Sequence, residues 1–355
     1  MTRVLVAGWI GSTNLGDELV LSGLLRHLRA LGASPVAVSV DPAGTRAVHG
    51  TDAVGVPQVP AATRTAGAVV LGGGGLLQDE TSPFNLPYHL GRTAPARALR
   101  RPVAGVGLGA GRLTTRTGRA LVRAALRGVP LTVRDAPSAD LLQACGLPRP
   151  QVTADLALGL PPVEVAAQDR LVVCLRPWSG GGGRLPVGLR RARPPVDDPA
   201  LDRTAAELDA VAAATGLAVH LVALQADRDG PLHDAVAARM RTPATTARPD
   251  LEALPAEVAS GRVVLAQRFH GGVCAVLAGR PVVLVGYSPK VDALAADLGA
   301  AARLLPWSPA GLAGAVAAVQ AVAATSSAEG RERLRAREAG NRTALERLFE
   351  RAQPR

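Results

Sequence analysis

Lysine is almost missing from this chain. Among 355 residues there are 40 formal cations, and all but Lys290 are arginine. Aromatic residues make up 2%, too few for the stacking rows that hold single-stranded nucleic acid, so no nucleic-acid partner is expected. Cys145, Cys174 and Cys274 are odd in number and far apart. With no Cys-x-x-Cys or Cys/His ligand spacing, neither a disulfide framework nor a structural zinc site is supported, and no metal is expected. Long apolar runs are also missing. The opening Met-Thr-Arg-Val-Leu-Val-Ala-Gly turns into a glycine loop too early for a secretory signal. Elsewhere Arg, His, Gly or Pro interrupts every run before it could span a membrane. A cytoplasmic protein is expected.

What is present is arginine in excess. The net charge of +11 suits anionic substrates or a lipid surface, although Ala/Arg/Gly-rich codon usage explains part of it equally well. Residues 330–355 mix Arg and Glu at helical spacing, which predicts a solvated charged helix.

The length accommodates two domains. Short, continuously apolar segments alternate with helical patterns: strands at Val4–Ala7, Val36–Val40, Ala68–Leu71, Val103–Val106, Leu131–Asp135 and Val152–Asp155, with helices over Asp17–Leu31, Arg116–Arg127 and Ser138–Cys145. Glycine-rich turns follow at Gly8–Gly16, Gly72–Gly75 and Gly107–Gly111. After a Pro/Glu/Gln linker at 161–169 the alternation restarts at Leu171–Leu175 and runs to Val282–Val285. Buried strands between helices predict an α/β protein with parallel sheets covered on both faces. Two Rossmann-like domains facing across a cleft are expected, over 1–160 and 170–325, with a charged helix over 326–355. Residues 178–199, rich in Gly, Pro and Arg, read as a mobile loop or lid.

Candidate site residues cluster at strand ends, where such sheets bind ligands. Arg268 and His270 open a helix before Gly271-Gly272, and Lys290 follows the next strand; together they read as a cradle for a small dense anion. Arg134 and Arg176 each stand just beyond a strand, as partners for carboxylate or phosphate. The turn Asn14-Leu-Gly-Asp17-Glu18 lacks the pattern of a P-loop. Its acids suit either sugar hydroxyls or capping of the helix. Gly72–Gly75 invites close approach of a ligand, with Gln78 and Asp79 as polar contacts and Asn85, Tyr88 and His89 in the succeeding loop. Asp155 reads as a general base or as a loop-bonding carboxylate.

In order along residues 4–299, these motifs resemble the polysaccharide pyruvyl transferase family, which includes the CsaB type that pyruvylates secondary cell-wall polymers in S-layer anchoring. The family's Asn-x-Gly-Asp-Glu is similar to Asn14–Glu18, its Gly-Gly-Gly-x-Leu-Leu-Gln-Asp to Gly73–Asp79, and its Val-Arg-Asp and Thr-Ala-Asp to Val133–Asp135 and Thr153–Asp155. Its Arg-Leu-His and Tyr-Asp-Pro-Lys-Val blocks are similar to Arg268–His270 and Tyr287–Val291. Phe269, Ser288 and Gly271-Gly272 depart from the usual Leu, Asp and Ala-Leu, at positions that bear on the acceptor more than on the reaction. The resemblance implies a glycosyltransferase-B-like fold, phosphoenolpyruvate as co-substrate without a further cofactor, and a saccharide diol, free or polyprenyl-linked, as acceptor. On that chemistry Arg268 and Lys290, beside Gly271, are read as donor-binding, helped by Arg134 or Arg176, with His270 as the candidate general acid/base and Asp17 as the candidate hydroxyl base. Asn14, Glu18, Gly74, Gly75, Gln78 and Asp79 would then face the acceptor. Peripheral contact with the inner face of a membrane fits this reading. The alternatives are a nucleotide-sugar glycosyltransferase of the same architecture and a non-catalytic relative that binds anionic glycans.

Overall fold

The structure, a computed structural model, describes residues 2–177, 196–306, 311–321 and 324–352. Trp178 and most of the predicted loop at 178–199 lie outside them; the chain re-enters at Val196 and is helical from Asp198.

Two parallel sheets organise the chain. The first is built from β1 (Arg3–Ala7), β2 (Ser34–Ser39), β3 (Asp52–Gly55), β4 (Ala68–Leu71), β5 (Gly74–Leu77), β6 (Val103–Ala110), β7 (Leu131–Val133) and β8 (Gln151–Val152). Its order is β3-β2-β1-β4-β6-β7-β8, with β5 pairing β6 off this path. The second contains β9 (Gln168–Cys174), β10 (Ala218–Val222), β11 (Ala244–Ala247), β12 (Gly261–Ala266), β13 (Val282–Val285) and β14 (Ala302–Leu305) in the order β11-β10-β9-β12-β13-β14. Both orders reverse beside the first strand, between β1 and β4 and between β9 and β12. The crevice at that reversal, outside the strand carboxyl ends, is where doubly wound sheets take ligands.

The strands are long in β-branched residues and buried on both faces, as parallel strands between helix layers must be. Val4, Val6, Val69, Val172, Val264 and Val283 are all fully buried. Helices present one apolar stripe to these faces. In Leu15–Ala30, Leu21, Leu24, Leu25 and Leu28 pack on Val4, Val6 and Val70.

Three expectations change here. Gly107 and Gly109 do not belong to a loop: β6 continues to Ala110, with Gly111 just beyond, and Gly107 is needed because its φ is +61° and a Cβ there would lie 2.8 Å from Leu156 Cγ. Likewise Gly74–Leu77 is a short strand against β6 rather than part of a turn. The segments Pro42–His49, Asp52–Gly55, Ala244–Ala247 and Ala302–Leu305, unassigned from sequence, are regular elements. They are short and carry few apolar residues, so periodicity gave no signal.

The final helix, Ala324–Ala352, is not a solvated tail. It returns to the first half, where Leu345 and Leu348 join the cluster of Val4, Val6 and Leu25. Asn341 is fully buried, accepting from Thr132 Oγ1 and Thr153 Oγ1 at 2.7 Å each and donating to Ala154 O at 3.1 Å. Glu338 meets His27 Nε2 at 2.7 Å. Two members of its buried stripe are thus polar and satisfied, which hid the stripe in the sequence. No described helix is long and apolar enough to cross a membrane.

Candidate active site

The site is assembled where the strand ends of the two halves meet. On the first half, the loop after β1 is held open by Glu18. Its Oε1 accepts from Gly11 N at 2.9 Å and Ser12 N at 3.1 Å, and its Oε2 meets His49 Nε2 at 2.8 Å. Asn14 caps the Leu15–Ala30 helix, accepting from Gly16 N, and its Nδ2 donates to Asp17 Oδ2. Asp17 lines a small pocket of its own half with Gly8, Trp9, Gly72 and Gly73, and is in electrostatic reach of His270 and Lys290 across the crevice. Burial pushes its carboxyl above the usual range, only partly offset by His270, Asn14 and Lys290.

The second half supplies the Phe269–Leu277 helix, with Arg268 at its N-cap. The His270 ring packs against the first turn of the Leu15–Ala30 helix: a Cβ on Gly16 would be 2.3 Å from His270 Nδ1. That glycine therefore exists for the close approach of the two halves. His270 Nε2 points to Asp155 Oδ2 at 3.6 Å and makes no hydrogen bond among the described residues. Asp155 also receives Arg134 Nη1 at 3.1 Å and Ala157 N at 3.1 Å. Burial alone would raise the Asp155 carboxyl; His270 and Arg134 outweigh it and hold the group well below the ordinary carboxylate range.

Arg134 is sealed beneath this pair, with Asp135 at 3.4 Å as a second carboxylate and its Cζ 4.6 Å above the Phe269 ring. Gly75 lies beside it, a Cβ there falling 3.8 Å from Nη2. Gly74, with φ +89°, sits 3.5 Å by the same measure from Asp17 Oδ1.

Beyond β13, Tyr287 lies between two cations. Arg176 Cζ is 5.0 Å and Lys290 Nζ 5.3 Å from its ring centre, and Lys290 is 5.5 Å from Phe269. Burial would raise the phenol, but Lys290, Arg176 and Arg268 lower it to about 8. Among the described residues neither Arg176 nor Lys290 forms an ion pair, whereas Arg268 does. Its Nε donates to Asp229 Oδ2 at 3.0 Å, its Nη2 pairs with Asp229 Oδ1, and Nη2 also reaches Gln225 Oε1 at 3.2 Å. Asp229 is fully buried.

The residues singled out from sequence therefore divide. Asp17, Gly74, Gly75, Arg134, Arg176, His270 and Lys290 converge. Arg268 is beside them, but its fork is spent on Asp229. Glu18 faces its own loop. Gln78 exchanges hydrogen bonds with Thr81, and Asp79 accepts four from the backbone and hydroxyls of Thr114 and Thr115. Those three side chains build turns, so the structure does not aim them at an acceptor. Asn14 touches the site only through Asp17. Gly271 lets its helix pack on β9, since a Cβ there would be 2.9 Å from Cys174 Cβ. His89 is buried under Trp9 and Tyr88, its ring driven down to about 3 by burial and Arg92. Asn85 donates to Leu76 O and Gln78 O.

Tyr287 had no role assigned from sequence, though one of only two tyrosines three residues from the single lysine was a usable signal. Asp229 and Gln225 left none, being about forty residues from Arg268 in an ordinary helix. Among the described residues no three His, Cys, Asp or Glu side chains gather as a metal-holding group.

Two Rossmann-like halves closing on one crevice define the glycosyltransferase-B class of fold. Solved structures agree. The chain is similar to the UDP co-structure of MnaA from S. aureus (TM-score 0.63, 9% identity, 98% of this chain and 95% of that one). It is similar to a UDP-N-acetylglucosamine 2-epimerase from Rickettsia bellii (TM-score 0.62, 9% identity, 99% and 96%) and to the calicheamicin glycosyltransferase CalG4 (TM-score 0.56, 15% identity, 100% of both). At these identities the likeness is one of fold. No curated protein matches the chain in sequence. The family model for polysaccharide pyruvyl transferases matches residues 14–289, and the chain belongs to that family.

Proposed function

We propose that the protein transfers pyruvate from phosphoenolpyruvate to a sugar diol of a cell-wall or surface polysaccharide, or its lipid-linked precursor, forming a cyclic ketal. One observation supports this beyond family membership: Arg176 and Lys290, the two site cations without carboxylate partners among the described residues, flank Tyr287 beside Asp17 and His270. A donor bearing carboxylate and phosphate a few atoms apart needs converging, unspent positive charge. Arg176 and Lys290 take those groups, with the neutral Tyr287 phenol between them as a donor. Arg134 and Arg268, each neutralised by buried carboxylates, hold the walls.

A first sugar hydroxyl gives its proton to Asp17, whose raised carboxyl is a better base than an ordinary one, while its oxygen bonds to C2 of the enol. Protonated His270, steadied by Asp155, delivers a proton to C3, which becomes a methyl group. A second hydroxyl then bonds to C2 as the C2–O bond to phosphate breaks. His270 regains its proton from that hydroxyl, and the proton on Asp17 leaves with inorganic phosphate. Both residues return to their starting states.

The test is phosphate release from phosphoenolpyruvate with lipid-linked or nitrophenyl sugars, alongside product mass. The expected product gains pyruvate less one water. Phosphate release indifferent to acceptor, or absent across the panel, sinks the reading. A nucleotide-sugar reaction is the second reading, because the similar S. aureus fold was solved with UDP. Stabilisation on heating by UDP- or GDP-sugars but not by phosphoenolpyruvate would favour it.

A further inference from the structure

The excess positive charge is confined to one place. From Thr81 to Arg134 there are ten arginines and no aspartate or glutamate; outside that segment thirty cations meet all 29 carboxylates. Arg92 and Arg134 are buried, and the other eight are exposed. Arg116, Arg119, Arg123 and Arg127 recur at helical spacing, covering an arc of about 80° on one side of the Arg116–Leu126 helix. Val122 and Leu126 turn inward from the same helix.

The remaining exposed arginines extend this face. Arg97 Nη1 donates to Ala125 O at 2.6 Å, tying the Ala94–Ala98 helix to the end of the arginine stripe, with Arg100 and Arg101 just beyond. Leu86 of the Asn85–Gly91 helix lies under Gly118. Three helices thus share one surface. One edge of it is fixed by Asp79, which grips Thr114 and Thr115 before Arg116. Glu80, at the border, reaches Arg112 at 3.9 Å, the one ion pair to these arginines' exposed face among the described residues.

Two large apolar side chains stand in this positive field: Phe84 is 52% exposed and Leu99 45% exposed. Each begins or ends one of the three helices. Guanidinium groups match phosphate geometry, and a flat array of them without carboxylates is attracted to any anionic surface. A soluble anionic polymer has no use for Phe84 and Leu99, whereas a lipid headgroup layer accepts such side chains between its acyl chains.

We propose that the face formed by the helices Asn85–Gly91, Ala94–Ala98 and Arg116–Leu126 docks on an anionic phospholipid surface, with Phe84 and Leu99 entering the headgroup layer. This face belongs to the half that carries Asp17. The inference does not rest on the pyruvyl reaction, and its test needs no turnover.

Co-sedimentation of the full chain with vesicles decides it. Vesicles of equal parts phosphatidylcholine and phosphatidylglycerol should retain the protein, and phosphatidylcholine alone should not. Binding should weaken as salt rises from roughly 0.05 M to 0.5 M, as the screening length shrinks. The variant Arg116→Glu/Arg119→Glu/Arg123→Glu should lose about tenfold or more in partition, and the glutamine version less. Arg203→Glu/Arg228→Glu, on the other half, should bind as the unaltered chain does. Phe84→Ser/Leu99→Ser should lose the fraction that survives high salt. All are surface positions, and an unchanged melting temperature shows that each variant folds. Equal retention by neutral vesicles, no retention by either, or indifference to the arginine changes overturns the inference. So does displacement by heparin combined with indifference to Phe84→Ser/Leu99→Ser, which would mark a soluble polyanion site.

Discussion

Each half brings one charged strand–helix junction to the crevice, the first after β1 and the second after β12, and the two divide their charges alike with opposite sign. After β1 come Asp17 and Glu18; after β12 come Arg268 and His270. At each junction one charged side chain is consumed by the fold and the other is left for the crevice. Glu18 is spent on Gly11, Ser12 and His49, and Arg268 on Asp229 and Gln225. Asp17 and His270 remain, packed on either side of Gly16. Neighbouring charges in one motif therefore divide between holding the loop and doing the chemistry, and the partner across the fold decides which is which.

That division can be broken by substitution. The largest effects are expected at the crevice-facing members. His270→Gln and Asp17→Asn should each lower kcat by about 10²–10⁴-fold with little change in melting temperature, as loss of a positioned acid or base does. The spent members should behave the other way. Arg268→Met strands the buried Asp229 charge and should cost about 3–5 kcal/mol in denaturant unfolding. Arg268→Met/Asp229→Asn should recover much of that. If Arg268→Met instead raises the KM for phosphoenolpyruvate at unchanged stability, the division is wrong.

The unspent cations come next. Lys290→Met should raise the phosphoenolpyruvate KM by about 10–100-fold through the loss of a charge-assisted contact worth about 1.5–3 kcal/mol. The acceptor KM should stay where it was. Tyr287 gives a smaller but distinctive effect. Its phenol, lowered to about 8, is neutral below that pH and a phenolate above it. A phenolate between Lys290 and Arg176 competes with the anionic donor, so kcat/KM should fall as pH rises through about 8. Tyr287→Phe should abolish that limb and remove one early tyrosinate titration from the ultraviolet spectrum; persistence of the limb would assign it elsewhere. The smallest change belongs to the exposed Arg342–Glu346 pair at 3.1 Å, where Glu346→Gln should alter stability by less than about 0.5 kcal/mol.

Much of the plan was legible because it is local. Val4–Ala7, Ala68–Leu71 and Val282–Val285 are short apolar runs that can only be buried strands, and glycines at their ends mark the crevice. The convergence of Asp17, His270 and Lys290 followed from their places at such ends. Which charges were free could not be read. Arg268 looks as available as Arg176 until the Asp229 helix folds against it, and Arg134 until Asp155 does. Ordering Gly107 and Gly109 as strand also depended on a distant partner, the Leu156 side chain that needs the space. The final helix was misread for a related reason: Asn341 and Glu338 occupy buried positions, and only Thr132, Thr153 and His27 make them tolerable there.

That helix also constrains how the molecule comes into being. Arg337 links Asp297 of the second half at 2.6 Å with Thr153 O of the first at 2.8 Å, and Leu345 and Leu348 complete the core around Val4 and Val6. On the ribosome, the first half emerges with a groove in its interior that its own residues do not fill. It stays unfinished while the whole second half is made, and the two halves become mature together when one late segment is laid across both.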